Sequence, residues 1–144
     1  MIMTTRDRMA VCRQDELIGE VLERNNGQFT YLPVVDRDEK VIGIFDCFSD
    51  EAKSSEDATI DSQLQPLNED LLIGGDASIY EFLSSADERP VRMVVSGTNV
   101  TGLVTFSDLQ QLPVRVSIFS LLTNLELMLA ELILQEFPSD EDWI

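Results

Sequence analysis

Val41-Ile-Gly-Ile-Phe45 and Val100-Thr-Gly-Leu-Val104 are one pattern written twice. Each sets apolar residues around a central Gly, and each is followed by Phe-Ser-Asp, at Phe48 to Asp50 and at Phe106 to Asp108. Upstream, Asp15-Glu-Leu-Ile-Gly-Glu-Val-Leu22 lines up with Asp76-Ala-Ser-Ile-Tyr-Glu-Phe-Leu83, with Asp, Ile, Glu and Leu at the same four places. The offset drifts from 61 residues at the first match to 59 at the glycines and 58 at the closing Asp, as small loop gaps produce. Self-similarity at such a spacing marks a tandem repeat, and missing it would misread the whole fold.

Each copy reads in the same order. A short apolar piece (residues 10–12 or 71–73) precedes an Asp suited to cap a helix, Asp15 or Asp76. Leu17, Ile18, Val21 and Leu22 then share one helical face, as do Ile79, Phe82 and Leu83. β-rich runs follow at 29–35 and 91–95, then polar turns, then second strands at 41–45 and 100–104. The Gly in each second strand, Gly43 or Gly102, permits close approach of another backbone or a ligand. A helix then begins near Ser49 or Ser107. The expected fold class is α/β (α+β): two tandem β-α-β-β-α units packed sheet to sheet, because one such unit buries too little alone. The expected divisions are a first unit over 1–56, a second over 57–113, a C-terminal amphipathic helix over 114–137 and an acidic tail over 138–144. The polar, Ser-rich stretch 51–65 reads as the linker.

Composition excludes several classes of function. At 44% hydrophobic residues a packed interior is feasible. The net charge of −17 repels nucleic acid and anionic membrane surfaces, and beyond Lys53 the only bases are Arg89, Arg92 and Arg115. There is no His, and Cys12 and Cys47 suit neither a disulfide framework nor a metal site, so no catalytic or metal centre is expected. The longest apolar stretch is interrupted by Asn124, Glu126 and Glu131 and reads as short of a membrane span. The first twelve residues carry Arg6, Asp7 and Arg8 and no signal-like apolar run, so a cytoplasmic location and no membrane contact are expected.

Leu32-Pro-Val-Val-Asp36, followed by Val41-Ile-Gly-Ile44, resembles the middle of a CBS domain. Gly102-Leu-Val-Thr-Phe-Ser-Asp-Leu109 resembles that family's closing motif of Gly, two apolar residues, Thr or Ser, two variable residues and Asp. Together the copies resemble a tandem CBS pair, or Bateman module, over most of the chain. The resemblance implies a regulatory module rather than an enzyme. Such a module binds an adenosine-containing ligand such as AMP in the cleft between copies and controls an effector protein. It places Thr105 and Asp108 on the ligand's ribose–phosphate side and Leu72, Ile73, Pro90 and Val91 around its base.

The chemistry of that assignment is sound, since a carboxylate accepts from both ribose hydroxyls and Thr105 can meet a phosphate. Thr105 to Asp108 reads equally well as ordinary helix capping. Only Arg89 and Arg92 stand near enough in sequence to compensate phosphate charge, and Arg92 either enters the cleft or lies outward on its strand. Adenosine, AMP or a less charged adenosyl compound therefore suits this acidic chain better than metal-free ATP. The first copy departs from the motif: Asp46 or Cys47 stands where the second copy has Thr105, so the first site is expected to be weak or vacant.

After Pro113 the chain reads as one helix to about Glu136. Ile118, Leu121, Leu122, Leu125, Met128, Leu129, Leu132 and Ile133 form a stripe at i, i+3, i+4, i+7 spacing, with Phe119, Leu127 and Leu134 off it. It either folds back on its own sheets or pairs with another chain, and a homodimer through the helix and the CBS faces is the expected partner arrangement. Ligand-independent assembly is accordingly the alternative to ligand sensing.

Overall fold

A computed structural model describes residues 3–5 and 9–138, except for the side chain of Leu112. The expected acidic tail lies, from Ser139 onward, outside the described residues. The chain divides into two compact units, one ending at Phe106 and one beginning at Ser107.

The first unit runs β1 (Thr4–Thr5), β2 (Cys12–Arg13), α1 (Ile18–Asn25), β3 (Tyr31–Val35), β4 (Val41–Asp46), α2 (Asp50–Ser54), β5 (Gln65–Pro66), β6 (Leu72–Gly74), α3 (Ile79–Leu83), β7 (Val91–Ser96) and β8 (Asn99–Thr105). Its strands form two four-stranded sheets, ordered β2-β3-β4-β5 and β1-β8-β7-β6. In each, a parallel first strand flanks an antiparallel hairpin, β3–β4 or β7–β8. The hairpins break register at the same place, between Val34 and Val35 and between Val94 and Val95. The bulge follows the residue opposite each glycine, since Val34 faces Gly43 and Val94 faces Gly102.

The fourth strand of each sheet comes from the other copy. β5, which leads into the second copy, pairs with β4, setting Gln65 against Ile44 and Pro66 against Gly43. β1, at the head of the first copy, pairs with β8, setting Thr4 against Leu103 and Thr5 against Gly102. The glycines in the second strands explain the exchange. A Cβ on Gly43 would collide with the Gln65 carbonyl oxygen, and one on Gly102 would come within 2.7 Å of the Thr4 carbonyl oxygen. Only a residue without a side chain lets the incoming backbone that close.

Sheet alternation sorts the apolar residues into two cores. Leu32, Val34 and Phe45 face Ile18 and Val21 of α1, Ala52 of α2 and Ile60. Val35, Val41 and Ile44 of one sheet meet Val91, Met93 and Leu103 of the other, so the sheets pack together as expected. α1 forms on this face, burying Ile18 and Val21, and ends at Asn26, whose left-handed φ of 48° directs its N–H to the Leu22 carbonyl.

Three local expectations need correction. Asp15 and Asp76 do not cap the helices; the cap positions are Leu17 and Ser78, neither making a side-chain cap bond. Ser49 does cap α2, accepting from the Ala52 N–H at 3.2 Å. The stretch 51–65 is not a plain linker. It holds most of α2, a 3-10 turn at Ile60–Ser62 and the start of β5, and Ala58, Ile60 and Leu64 pack into the first copy's core. The division at 56/57 therefore falls inside packed structure, because polar surface residues conceal the few apolar ones that anchor the segment.

The thiols of Cys12 and Cys47 are buried in that same core. Burial pushes Cys12 up to about 12 and Cys47 up to about 11, from an ordinary 9.0. Because the folded values are raised, the stabilisation these protonated thiols supply is complete below pH 9 and is lost as the pH rises from 9 toward 11–12. The urea midpoint is expected to fall from pH 8 to pH 10, and to fall less in a Cys12→Ala/Cys47→Ala variant. Equal slopes in the two proteins would contradict the burial argument.

In the second unit, the helix expected near Ser107 begins instead as the 3-10 turn Phe106–Gln110, and α4 (Leu112–Glu136) follows with Pro113 in its first turn. Its apolar stripe is not covered. Every described residue from Phe119 to Pro138 is exposed, Phe119 at 72%. Contrary to the expectation from Asn124, Glu126 and Glu131, Pro113–Glu136 is long and apolar enough to cross a membrane by length and composition, with 24 residues and an 18-residue window of mean hydropathy 1.6.

Candidate functional site

The pairing of the sheets leaves a cleft of about 430 Å³ in the first unit, within the range of small-molecule sites. Tyr31 and Asp46 line it from the first copy, Gln65, Asn68, Asp70 and Leu71 from the exchanged strand and the segment after it, and Glu88, Arg89, Pro90 and Val91 from the approach to β7. Two sheet ends position these groups. Tyr31 opens β3 opposite Asp46, which closes β4. Val91 opens β7 opposite Thr105, which closes β8. The two pairs occupy matching places in the two copies. Asn68 is fixed by its own turn, its side-chain oxygen accepting from the Leu71 N–H at 3.1 Å.

The cleft is acidic. Asp46, Asp70 and Glu88 face one base, Arg89, and that guanidinium is held by Asp70 at 2.7 Å. Both partners are well exposed, so the pair orients Arg89 more than it stabilises the fold. The Asp46 carboxylate accepts from the Phe48 N–H at 2.9 Å. The Tyr31 phenol is raised above its ordinary value, first by burial and then by the nearby Asp46 charge. Apolar surface comes from Leu71, Pro90, Val91 and the ring of Tyr31.

Of the residues expected from the sequence, Arg89, Pro90 and Val91 line this cleft. They share it with Tyr31 and Asp46 of the first copy, while Val91 also pairs with Thr105 across the β7–β8 hairpin. Leu72 and Ile73 do not line it. Ile73 is buried and Leu72 packs on the shared core, while Leu71 supplies the apolar wall. Arg92 is neither in the cleft nor outward. Alternation along β7 puts it on the face opposite Val91, 7% exposed, donating to the Leu72 carbonyl at 3.0 Å and to Ser85 Oγ at 2.9 Å. It ties β6 to the end of α3 and is not placed to meet a phosphate. In the second unit, Asp108 is 5% exposed and accepts from Gln111 Nε2 at 2.7 Å, a positional bond next to the start of α4. Tyr31, Gln65, Asn68, Asp70 and Glu88 were not anticipated. Tyr31 could have been found by carrying Val91 back one repeat, since both open the first hairpin strand.

Among the described residues no group of three or more acidic, Cys or His side chains could hold a metal ion. Residues 2–46 match the model of the CBS domain family. No curated protein is similar to the chain in sequence. Similar solved structures include a hemolysin-like protein containing a CBS domain from Oenococcus oeni PSU. It is 21% identical, with a TM-score of 0.63, over 75% of this chain and 83% of that one. The CBS domain of a bacterial CNNM/CorC family Mg2+ transporter in complex with ATP is 19% identical, with a TM-score of 0.60, over 74% and 80%. CBSX2 in complex with AMP is 15% identical, with a TM-score of 0.64, over 81% and 95%.

Proposed function

We propose that this chain, whose residues 2–46 match the CBS domain family and whose fold is similar to those of CBS-domain structures, is a regulatory module whose inter-copy cleft binds an adenosine-containing ligand and controls a partner. The observation that carries this reading is the cleft itself, walled by Tyr31 and Asp46 of one copy and by Arg89 to Val91 of the other. A ligand there touches both copies at once, so its binding energy acts directly on how they pack. The ATP and AMP complexes of similarly folded domains support the ligand class.

A thermal-shift panel of adenosine, AMP and ATP tests the proposal. A ligand at a hundred times its Kd stabilises the native state by about 2.7 kcal/mol, which raises Tm by several degrees in a domain of this size. Glu88 is exposed and lines the cleft, so Glu88→Trp is expected to fill the cleft and remove the shift while leaving the unliganded Tm unchanged. The exposed apolar surface of α4 favours a second reading, ligand-independent assembly with another copy of the chain. The same panel separates the two. A protein that sediments as a dimer and shifts with none of the compounds is an assembly module.

A further inference from the structure

We infer that the cleft selects against phosphate, so that its ligand is the uncharged nucleoside or an adenosyl compound without a phosphate group, and that Asp46 sets this preference. The inference rests on the proposed adenosine reading and concerns which member of that class the site takes.

Asp46 and Thr105 occupy equivalent positions. Each stands three residues beyond the strand glycine, ends its hairpin and lies opposite the residue that opens it. A hydroxyl at this place can donate to a phosphate oxygen; an ionised carboxylate can only accept. In the cleft that contains Asp46, two further carboxylates, Asp70 and Glu88, line the walls. The single base, Arg89, is already engaged by Asp70 at 2.7 Å. The other nearby Arg, Arg92, is committed to the Leu72 carbonyl and Ser85 on the opposite face of β7. A phosphate would therefore enter a site with excess negative charge and no uncommitted cation among its lining residues. The apolar wall of Leu71, Pro90, Val91 and Tyr31 is indifferent to ligand charge and can pack against a base. Carboxylates accept well from ribose hydroxyls, so the charge that repels AMP does not oppose adenosine.

Calorimetry with adenosine, AMP and metal-free ATP on the full chain tests this, beside Asp46→Thr. Wild type is expected to bind adenosine at least about tenfold more tightly than AMP, with ATP weaker still, and the gap should narrow with added salt. Asp46→Thr should narrow the gap between adenosine and AMP by about tenfold, chiefly by tightening AMP. Asp46→Asn, which keeps an acceptor for the Phe48 N–H, serves the same purpose if the Thr variant does not fold. AMP or ATP binding wild type more tightly than adenosine overturns the inference while leaving the adenosine reading intact, as does a preference that neither variant alters. Binding of none of the three to any of the proteins overturns the adenosine reading, and this inference with it.

Discussion

Gly43→Ala is expected to destabilise the protein by about 3 kcal/mol, at the upper end of the usual cost of overpacking a filled site. The φ angle at Gly43 is not in the left-handed region, so alanine meets no backbone strain of its own. The loss is purely steric. The new methyl would overlap the Gln65 carbonyl oxygen and lie 2.6 Å from Leu64 Cδ1. Leu64 can rotate, but the carbonyl belongs to β5 and moves only if that strand leaves β4. Losing glycine's freedom in the unfolded chain returns less than about 1 kcal/mol, too little to offset the collision. Gly102→Ala should cost somewhat less, about 2 kcal/mol: the Met3 sulfur at 2.6 Å can swing away, but the Thr4 carbonyl oxygen at 2.7 Å gives only if β1 shifts. Urea unfolding followed by far-ultraviolet dichroism measures both. A Gly43→Ala midpoint equal to wild type would mean that β5 does not pack where the geometry puts it.

The second large effect is at Phe45, which is expected to cost about 3–5 kcal/mol when replaced by Ala. Phe45 is among the largest fully buried side chains and lies at the centre of the core beneath β3 and β4. Its neighbours belong to four elements: Ile18 and Val21 on α1, Leu32 and Val34 on β3, Ala52 on α2, and Ile60 on the segment that returns from α2. Rigid strands and a short helix cannot all collapse into the space of a lost ring, so most of the cavity persists. Phe45→Leu, which keeps much of the volume, should cost less than half as much. Equal losses for the two variants would show that the site relaxes freely.

The repeat was legible because its markers are chemical: two strand glycines, two closing Asp residues and matched apolar faces. The exchange of strands was not legible. β1 and β5 are two residues each, too short to carry any periodicity, and polar Gln65 reads as loop. That is why the stretch after α2 looked like a linker. The cleft was half legible for a related reason. Pro90 and Val91 came from the resemblance of the second copy to CBS domains and Arg89 from the need for a base near a phosphate, but the groups opposite them belong to the first copy, and sequence order gives no hint of that meeting. Arg92 misled because charge usually signals solvent. It takes the place in the second sheet that buried Leu32 holds in the first, and backbone and hydroxyl acceptors accommodate it there. The exposure of α4 lay beyond reach, since an apolar helix reads the same whether or not anything covers it.

The distance along the chain between Thr4 and its partner Leu103 has a consequence during synthesis. At ribosomal speeds of roughly 5–20 residues per second, β1 waits on the order of 5–20 s before the hairpin it completes has been made. Until Gln65 emerges, β4 also presents a bare edge, open to pairing with a neighbouring chain. Early handling by chaperones therefore has two hazards to cover, one that ends midway through translation and one that lasts until the second copy is nearly finished.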